Sequence, residues 1–268
     1  MAAAKRMKAA RAPRPLKGQR VIVTAGASGI GRAIADRLLA AGAKVAICDV
    51  SEKFLAGFRK AHPKAPAFVA DVSSEADVEN LFKAAGKALG GLDALVNNAG
   101  IAGPTGGVEE IDPADWRRCI DVDLTGQFLC AHWAVPMIRK AGGGSIVNMS
   151  SAAGRFGYAF RSPYSAAKWG VVGFTQSLAK ELGPHNIRVN AILPGIVAGP
   201  RIEAVIAARA KQVGVSRKEM LHRYLERVSL RSMVTADDVA ATVVFLMSPD
   251  GANVSGQSIG VCGNVESL

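Results

Sequence analysis

The chain has 268 residues, 49% of them hydrophobic, and a formal net charge of +11. That length suits one large α/β domain with a sizeable core, and no run of about 18 apolar residues marks a membrane span. Cys48, Cys119, Cys130 and Cys262 form no CxxC pair. Neither a disulfide framework nor a metal site is expected, and the reading is of a reducing, cytoplasmic setting.

The charge is unevenly spread. Residues 1–20 hold Lys5, Arg6, Lys8, Arg11, Arg14, Lys17 and Arg20 and no acid, which is +7 of the +11. An Ala/Arg/Lys/Pro segment cannot bury enough apolar area to offset its ordering cost, so residues 1–17 read as a mobile basic tail. A solvated tail is favoured over a transit peptide or a nucleic-acid arm. Neither nucleic acid nor membrane is therefore expected as a partner.

The first element is VIVTA (21–25), a β-branched run that leads straight into TAGASGIG (24–31) and a helical stretch. A phosphate needs backbone N–H groups at a helix N-terminus and close approach of the chain, which glycine permits. Gly26, Ser28, Gly29, Ile30 and Gly31 are the candidate phosphate cradle. KVAICD (44–49) follows and ends on Asp49, about 20 residues after the glycines. A carboxylate there accepts bonds from the adenosine ribose hydroxyls and repels a 2′-phosphate. No Arg or Lys stands at 50 or beside Ser28, so NAD is expected as cofactor. The competing reading of Asp49 is a cap on the helix at 51–58.

AFVADV (67–72) ends near Asp71 and Val72, which either meet adenine or cap the next helix. ALVNNAG (94–100) ends in Asn98, Ala99 and Gly100, small and amide residues suited to lie against a cofactor or to form a simple turn. SIVNMSS (145–151) ends on Ser151. Tyr164 and Lys168 then stand four residues apart, on one face of a helix, where the ammonium favours the phenolate form. IRVNAILPG (187–195) is the sixth strand candidate, and a last one is expected near QSIGV (257–261). Residues 200–232, rich in Arg and Lys with helical periodicity, read as a helical substrate lid. Short apolar strands alternating with helices predict an α/β, doubly wound, Rossmann-type parallel sheet in three layers, formed as one domain over 18–268.

These residues together resemble one family. TAGASGIG (24–31), Asp49, DV (71–72), NNAG (97–100), Ser151, YSAAK (164–168) and PG (194–195) are similar to the short-chain dehydrogenase/reductase pattern over nearly the whole chain. The resemblance implies Tyr164 as general acid/base, Ser151 as the residue orienting the substrate, and Lys168 as the ribose anchor that tunes Tyr164. It implies that Pro194, Gly195 and Val197 meet the nicotinamide end, and that the protein forms a homotetramer. Four positions depart from the pattern. Ala25 replaces its first glycine, Asp123 its usual Asn, Gly199 its usual Thr, and VCGN (261–264) its VDGG. Asp123 remains a candidate catalytic residue in the proton path.

The expected activity is NAD-dependent interconversion of a secondary alcohol and a ketone on a small polar substrate, anionic or sugar-like. Arg155, Arg161 and Arg201 are candidate substrate ligands, since an Arg in the pocket would grip an anion bidentately. Two alternatives stay open. One is an NADPH-type 3-oxoacyl carrier-protein reductase, and the other a catalytically weak dinucleotide-binding protein.

Overall fold

A computed structural model describes residues 16–265. Most of the basic tail lies outside them, but Leu16, within its expected bounds, is buried in the core. In chain order the elements are β1 (Arg20–Val23), α1 (Gly29–Ala40), β2 (Lys44–Asp49), α2 (Glu52–Ala61), β3 (Ala67–Val69), α3 (Glu75–Leu89) and β4 (Ala94–Asn97). Then come α4 (Pro113–Ile120), a π turn (Asp121–Thr125) and α5 (Gly126–Lys140), followed by β5 (Gly144–Met149), α6 (Ser162–Leu182) and β6 (Ile187–Pro194). The chain closes with α7 (Pro200–Gln212), α8 (Arg217–Glu226), α9 (Ala236–Met247) and β7 (Ser258–Val261).

The seven strands form one sheet in the order β3-β2-β1-β4-β5-β6-β7, and every pairing is parallel. Parallel strands are buried on both faces, which is why VIV, VAIC, ALV and SIVNM carry no clean polar alternation. On one face α1, α2 and α9 bury Ile34, Leu38, Leu55, Phe58, Val239 and Val243. On the other α3, α5 and α6 bury Val78, Leu81, Phe82, Leu129, Ile138 and Leu182. Phe58 and Phe82 are among the largest fully buried side chains, each contributing roughly 1.5–3 kcal/mol of transfer free energy.

Strand order reverses at β1, between β2 and β4. Ligands bind outside the carboxyl ends of the strands at such a switch point. Two apolar runs leave the sheet early there: β3 ends at Val69 and β4 at Asn97. Asp71, Asn98 and Gly100 are thereby released from the strand ladder toward the carboxyl edge.

The segment 200–232 forms the helices α7 and α8. It packs a separate small core of Ile206, Met220, Tyr224 and Val228. It is tied back to the body by a bridge between Val228 and Val265.

Candidate active site

The site begins at the turn from β1 into α1. Ser28 is the N-cap of α1 in extended conformation and makes no side-chain cap bond, and no acid lies in the first turn. The first-turn N–H groups are left for an external acceptor at the positive end of the helix. Gly29 has φ +55°, and a side chain added there would meet nothing within 4 Å. Gly31 is packed hard instead: a Cβ would fall 2.1 Å from the Ala25 carbonyl oxygen. Gly26 has the same constraint against Ile47, at 2.6 Å. The first turn of α1 thus has one open glycine facing a cleft of about 620 Å³, a cradle that fits a dinucleotide pyrophosphate.

Asp49 ends β2 and is buried, with Oδ2 accepting from Ala27 N at 3.4 Å and Oδ1 from Ser51 N at 3.0 Å. It does not cap α2; Ser51 does, accepting from Phe54 N. Asp71 does not cap α3 either, because Ser74 holds that position. Asp71 accepts from Ser73 at Oδ1 and from Arg118 at Oδ2, 2.8 Å away. Burial works against its carboxylate, but the Ser73 and Arg118 bonds outweigh that and hold the carboxyl below its ordinary range. Val72 is turned into the core beside Gly126. Thr24 Oγ1 accepts from Asn98 N and Ala99 N, both at 2.9 Å, and Asn98 Nδ2 donates to the Thr24 and Ala25 carbonyls. The end of β4 is thus locked onto the glycine turn, and Asn98 and Gly100 join the cleft wall.

Ser151, Tyr164 and Lys168 all line this cleft. Ser151 leaves β5, and its Oγ accepts from Ala153 N at 3.2 Å. Tyr164 and Lys168 lie on α6, with Lys168 Nζ 5.6 Å from the Tyr164 ring centroid. Lys168 is buried and donates to the Met149 carbonyl at 3.0 Å. Its second neighbour is Asp123 Oδ2 at 3.6 Å. Asp123 sits in the π turn, where Oδ1 accepts from Ile101 N at 2.6 Å. The opposite wall carries Pro194, Gly195 and Val197 from the end of β6.

Of the candidate arginines, the fold brings two to the cleft. Arg161 and Arg201 line it, their guanidinium carbons 4.7 and 5.9 Å from the Tyr164 ring centroid. Arg155 does not reach the cleft wall. It points outward and donates to the Ser258 carbonyl on the edge strand β7, because the chain turns at the end of the short 3-10 helix Ala152–Gly154. Arg209 is spent on the Ala159 carbonyl and on the rings of Tyr158 and Phe160. Arg223 pairs with Glu219 on its own helix.

Residues 24–264 match the family described as enoyl-(acyl carrier protein) reductase. The chain is 35% identical over 250 residues to levodione reductase of Leifsonia aquatica, covering 91% of this chain and 92% of that one. It is 38% identical over 246 residues to cis-4-hydroxycyclohexanecarboxylate dehydrogenase of Sinomonas cyclohexanicum, covering 90% and 94%. The chain belongs to the short-chain dehydrogenase/reductase family. It is an oxidoreductase of secondary alcohols and ketones. Among solved structures, NAD+-bound xylitol dehydrogenase superposes with a TM-score of 0.87 at 28% identity, covering 92% of this chain and 98% of that one. A single-residue variant of actinorhodin polyketide ketoreductase with NADPH superposes at 0.88 and 34% identity, covering 93% and 98%.

Two departures of this short-chain dehydrogenase/reductase from the family pattern now have a geometry. Ala25 stands at φ 48°, the left-handed region that a glycine would occupy freely. Asp123 Oδ2 is buried and accepts no hydrogen bond, so its neighbour Lys168 is its compensation. The pattern also overlooked residues that only packing assembles. Tyr158 and Tyr224 share a hydrogen bond between their hydroxyls and close one end of the cleft. Phe54, Ile202 and Val205 complete its apolar wall. A lone aromatic in a helix such as Tyr224 carries no local sign of which face it will present.

Proposed function

We propose that this protein is an NAD-dependent dehydrogenase interconverting a secondary alcohol and a ketone on a small polar substrate, anionic or sugar-like. Asp49 carries the cofactor choice. Its two oxygens each accept one backbone bond, so lone pairs remain for the ribose hydroxyls, and its charge repels a 2′-phosphate. A bound nicotinamide would supply the acceptor for the hydride of the carbinol carbon. Tyr164 takes the hydroxyl proton, Ser151 holds the substrate oxygen, and Lys168 anchors the ribose. Gly26, Ser28, Gly29, Ile30 and Gly31 hold the pyrophosphate; Asp71 and the Val72 backbone meet adenine; the backbone of Asn98, Ala99 and Gly100 lies against the cofactor; Pro194, Gly195 and Val197 meet the nicotinamide.

In this reading residues 18–268 work as one catalytic domain with 200–232 as its substrate lid, in the cytoplasm. No helix among the described residues is long and apolar enough to cross a membrane. A homotetramer built through α5 and α6 accords with the exposure of Phe128 and Trp169, each 50% accessible.

The test is a panel of secondary alcohols offered to the purified protein with NAD+ or NADP+, followed by absorbance of the reduced cofactor. NAD+ is expected to be preferred, and Asp49→Ala to narrow the preference. A wild-type preference for NADP+, with turnover of carrier-linked 3-oxoacyl groups, would replace this reading by the reductase alternative. Saturable NAD+ binding without turnover of any alcohol would leave a dinucleotide-binding protein.

A further inference from the structure

The cleft has an unusual charge pattern. Arg161, Lys168 and Arg201 line it, while no Asp or Glu among the described residues does. Lys168 has Asp123 at 3.6 Å. The two arginines have no carboxylate within ion-pair distance among the described residues.

Arg161 is the more telling of the two. It is 2% exposed, and its Nε is buried with no hydrogen-bond partner. One amino nitrogen donates to the Ala102 carbonyl, and the guanidinium lies between the rings of Tyr158 and Tyr164, 5.0 and 4.7 Å from their centroids. It is also the N-cap of α6, a helix of 21 residues. A cation is disfavoured at that end of a helix, and a buried charge without a counter-ion is costly. Both costs are relieved by an anion arriving in the cleft. Arg201 donates to the Gly100 and Ile101 carbonyls at 3.0 and 2.7 Å and faces the same tyrosine from another side.

We infer that Arg161 and Arg201 form the substrate's anion site, and that the substrate is a small hydroxy acid carrying a carboxylate or sulfonate. The inference rests on the dehydrogenase reading above and narrows its substrate. Both guanidiniums stand against the Tyr164 ring, so the anion and the reacting carbinol are only a few bonds apart. Ile196, Ile202, Val205 and Tyr224 give the rest of the cleft an apolar surface, which suits a short hydrocarbon or alicyclic spacer. In the reaction, the carbinol C–H bond breaks and its electron pair leaves as hydride to NAD+. The hydroxyl proton goes to Tyr164, and the products are the oxo acid, NADH and a proton. The anionic group is unchanged and serves only to position.

The experiment compares hydroxy carboxylates and hydroxy sulfonates of graded spacer length with their neutral amides, using NAD+ and the full-length protein. The best acid is expected to exceed its own amide in kcat/KM by about ten- to a hundred-fold, the size of a lost charge-assisted contact. Arg161→Gln and Arg201→Gln should each erode that ratio mainly through KM. Arg201 is solvent-facing, so its variant tests the site even if the Arg161 variant fails to fold. A second readout needs no turnover: benzoate and propanesulfonate should raise the wild-type melting temperature, and the rise should shrink in Arg201→Gln. Equal or better turnover of the amides, with no anion-dependent melting shift, would overturn the anion site while leaving the dehydrogenase intact. A weakened NADH affinity in Arg201→Gln with an unchanged acid-to-amide ratio would reassign that arginine to the cofactor and overturn the pair.

Discussion

Asp123 and Lys168 stand face to face at the cleft wall, Oδ2 3.6 Å from Nζ, and both are buried. The carboxylate does two jobs. It receives the Ile101 N–H at 2.6 Å, fixing the loop after β4, and it neutralises the ammonium that lies under Tyr164. Asp123→Ala strands both partners, so a loss of about 3–5 kcal/mol is expected in urea unfolding. Asp123→Asn keeps an acceptor for Ile101 and should cost clearly less. Equal costs for the two variants would mean that the charge, not the Ile101 bond, carries the whole effect.

Tyr164→Phe keeps the ring on which Arg161 and Arg201 stack and removes only the hydroxyl. Turnover should fall by about 10²–10⁴-fold, the usual worth of a positioned acid/base group. NADH affinity, read by fluorescence titration, should change little. Near-wild-type turnover would remove Tyr164 from the proton-transfer step.

Ala25→Gly should stabilise the protein. Ala25 has φ 48°, where a side chain costs about 1–2 kcal/mol, partly offset by the greater unfolded-state freedom of glycine. A gain of roughly 1 kcal/mol is expected, seen as a melting temperature higher by about 2–4 °C. A lower melting temperature would show that Ala25 packs more favourably than its backbone suggests.

Arg20 and Asp93 clamp the amino ends of β1 and β4 through bonds of 2.8 and 2.6 Å, reinforced by the Arg20 N–H. The Arg20 guanidinium and amide hold the Asp93 carboxyl below its ordinary 3.8 despite partial burial. A depressed carboxyl contributes stability above its unfolded value and loses it as pH falls through the folded one. Asp93→Asn should therefore cost about 1–2 kcal/mol at neutral pH. The gap to wild type should close as the pH is lowered from roughly 4 toward 2. A gap independent of pH would place the effect in packing instead.

Burial pushes the Cys48 thiol up to about 12 and the Cys119 thiol up to about 11, and raises Cys130 as well. Cys262 is partly exposed. A thiol reagent at pH 8 should label Cys262 within minutes in the native protein, and the other three only on unfolding. Rapid labelling of Cys119 would indicate that the wall behind Gly103 opens in solution.

Local chemistry made much of this protein readable in one dimension. Buried parallel strands demand continuous apolar runs, so β1 to β6 announced themselves. A tight strand-to-helix turn needs small residues directly after a strand, so the turn at Ser28 to Gly31, which the structure places in the cleft wall, did too. Tyr164 and Lys168 are neighbours through helical spacing alone. The tertiary structure decided what depends on side-chain direction and on contacts far apart in the chain. Asp49 and Asp71 could each have been helix caps until Ser51 and Ser74 took those places. Arg155, Arg161 and Arg201 were equal candidates until packing sent Arg155 to Ser258 and the other two to the tyrosine. A long charged side chain can reach either water or a cleft from the same backbone, and only the surrounding packing selects between them.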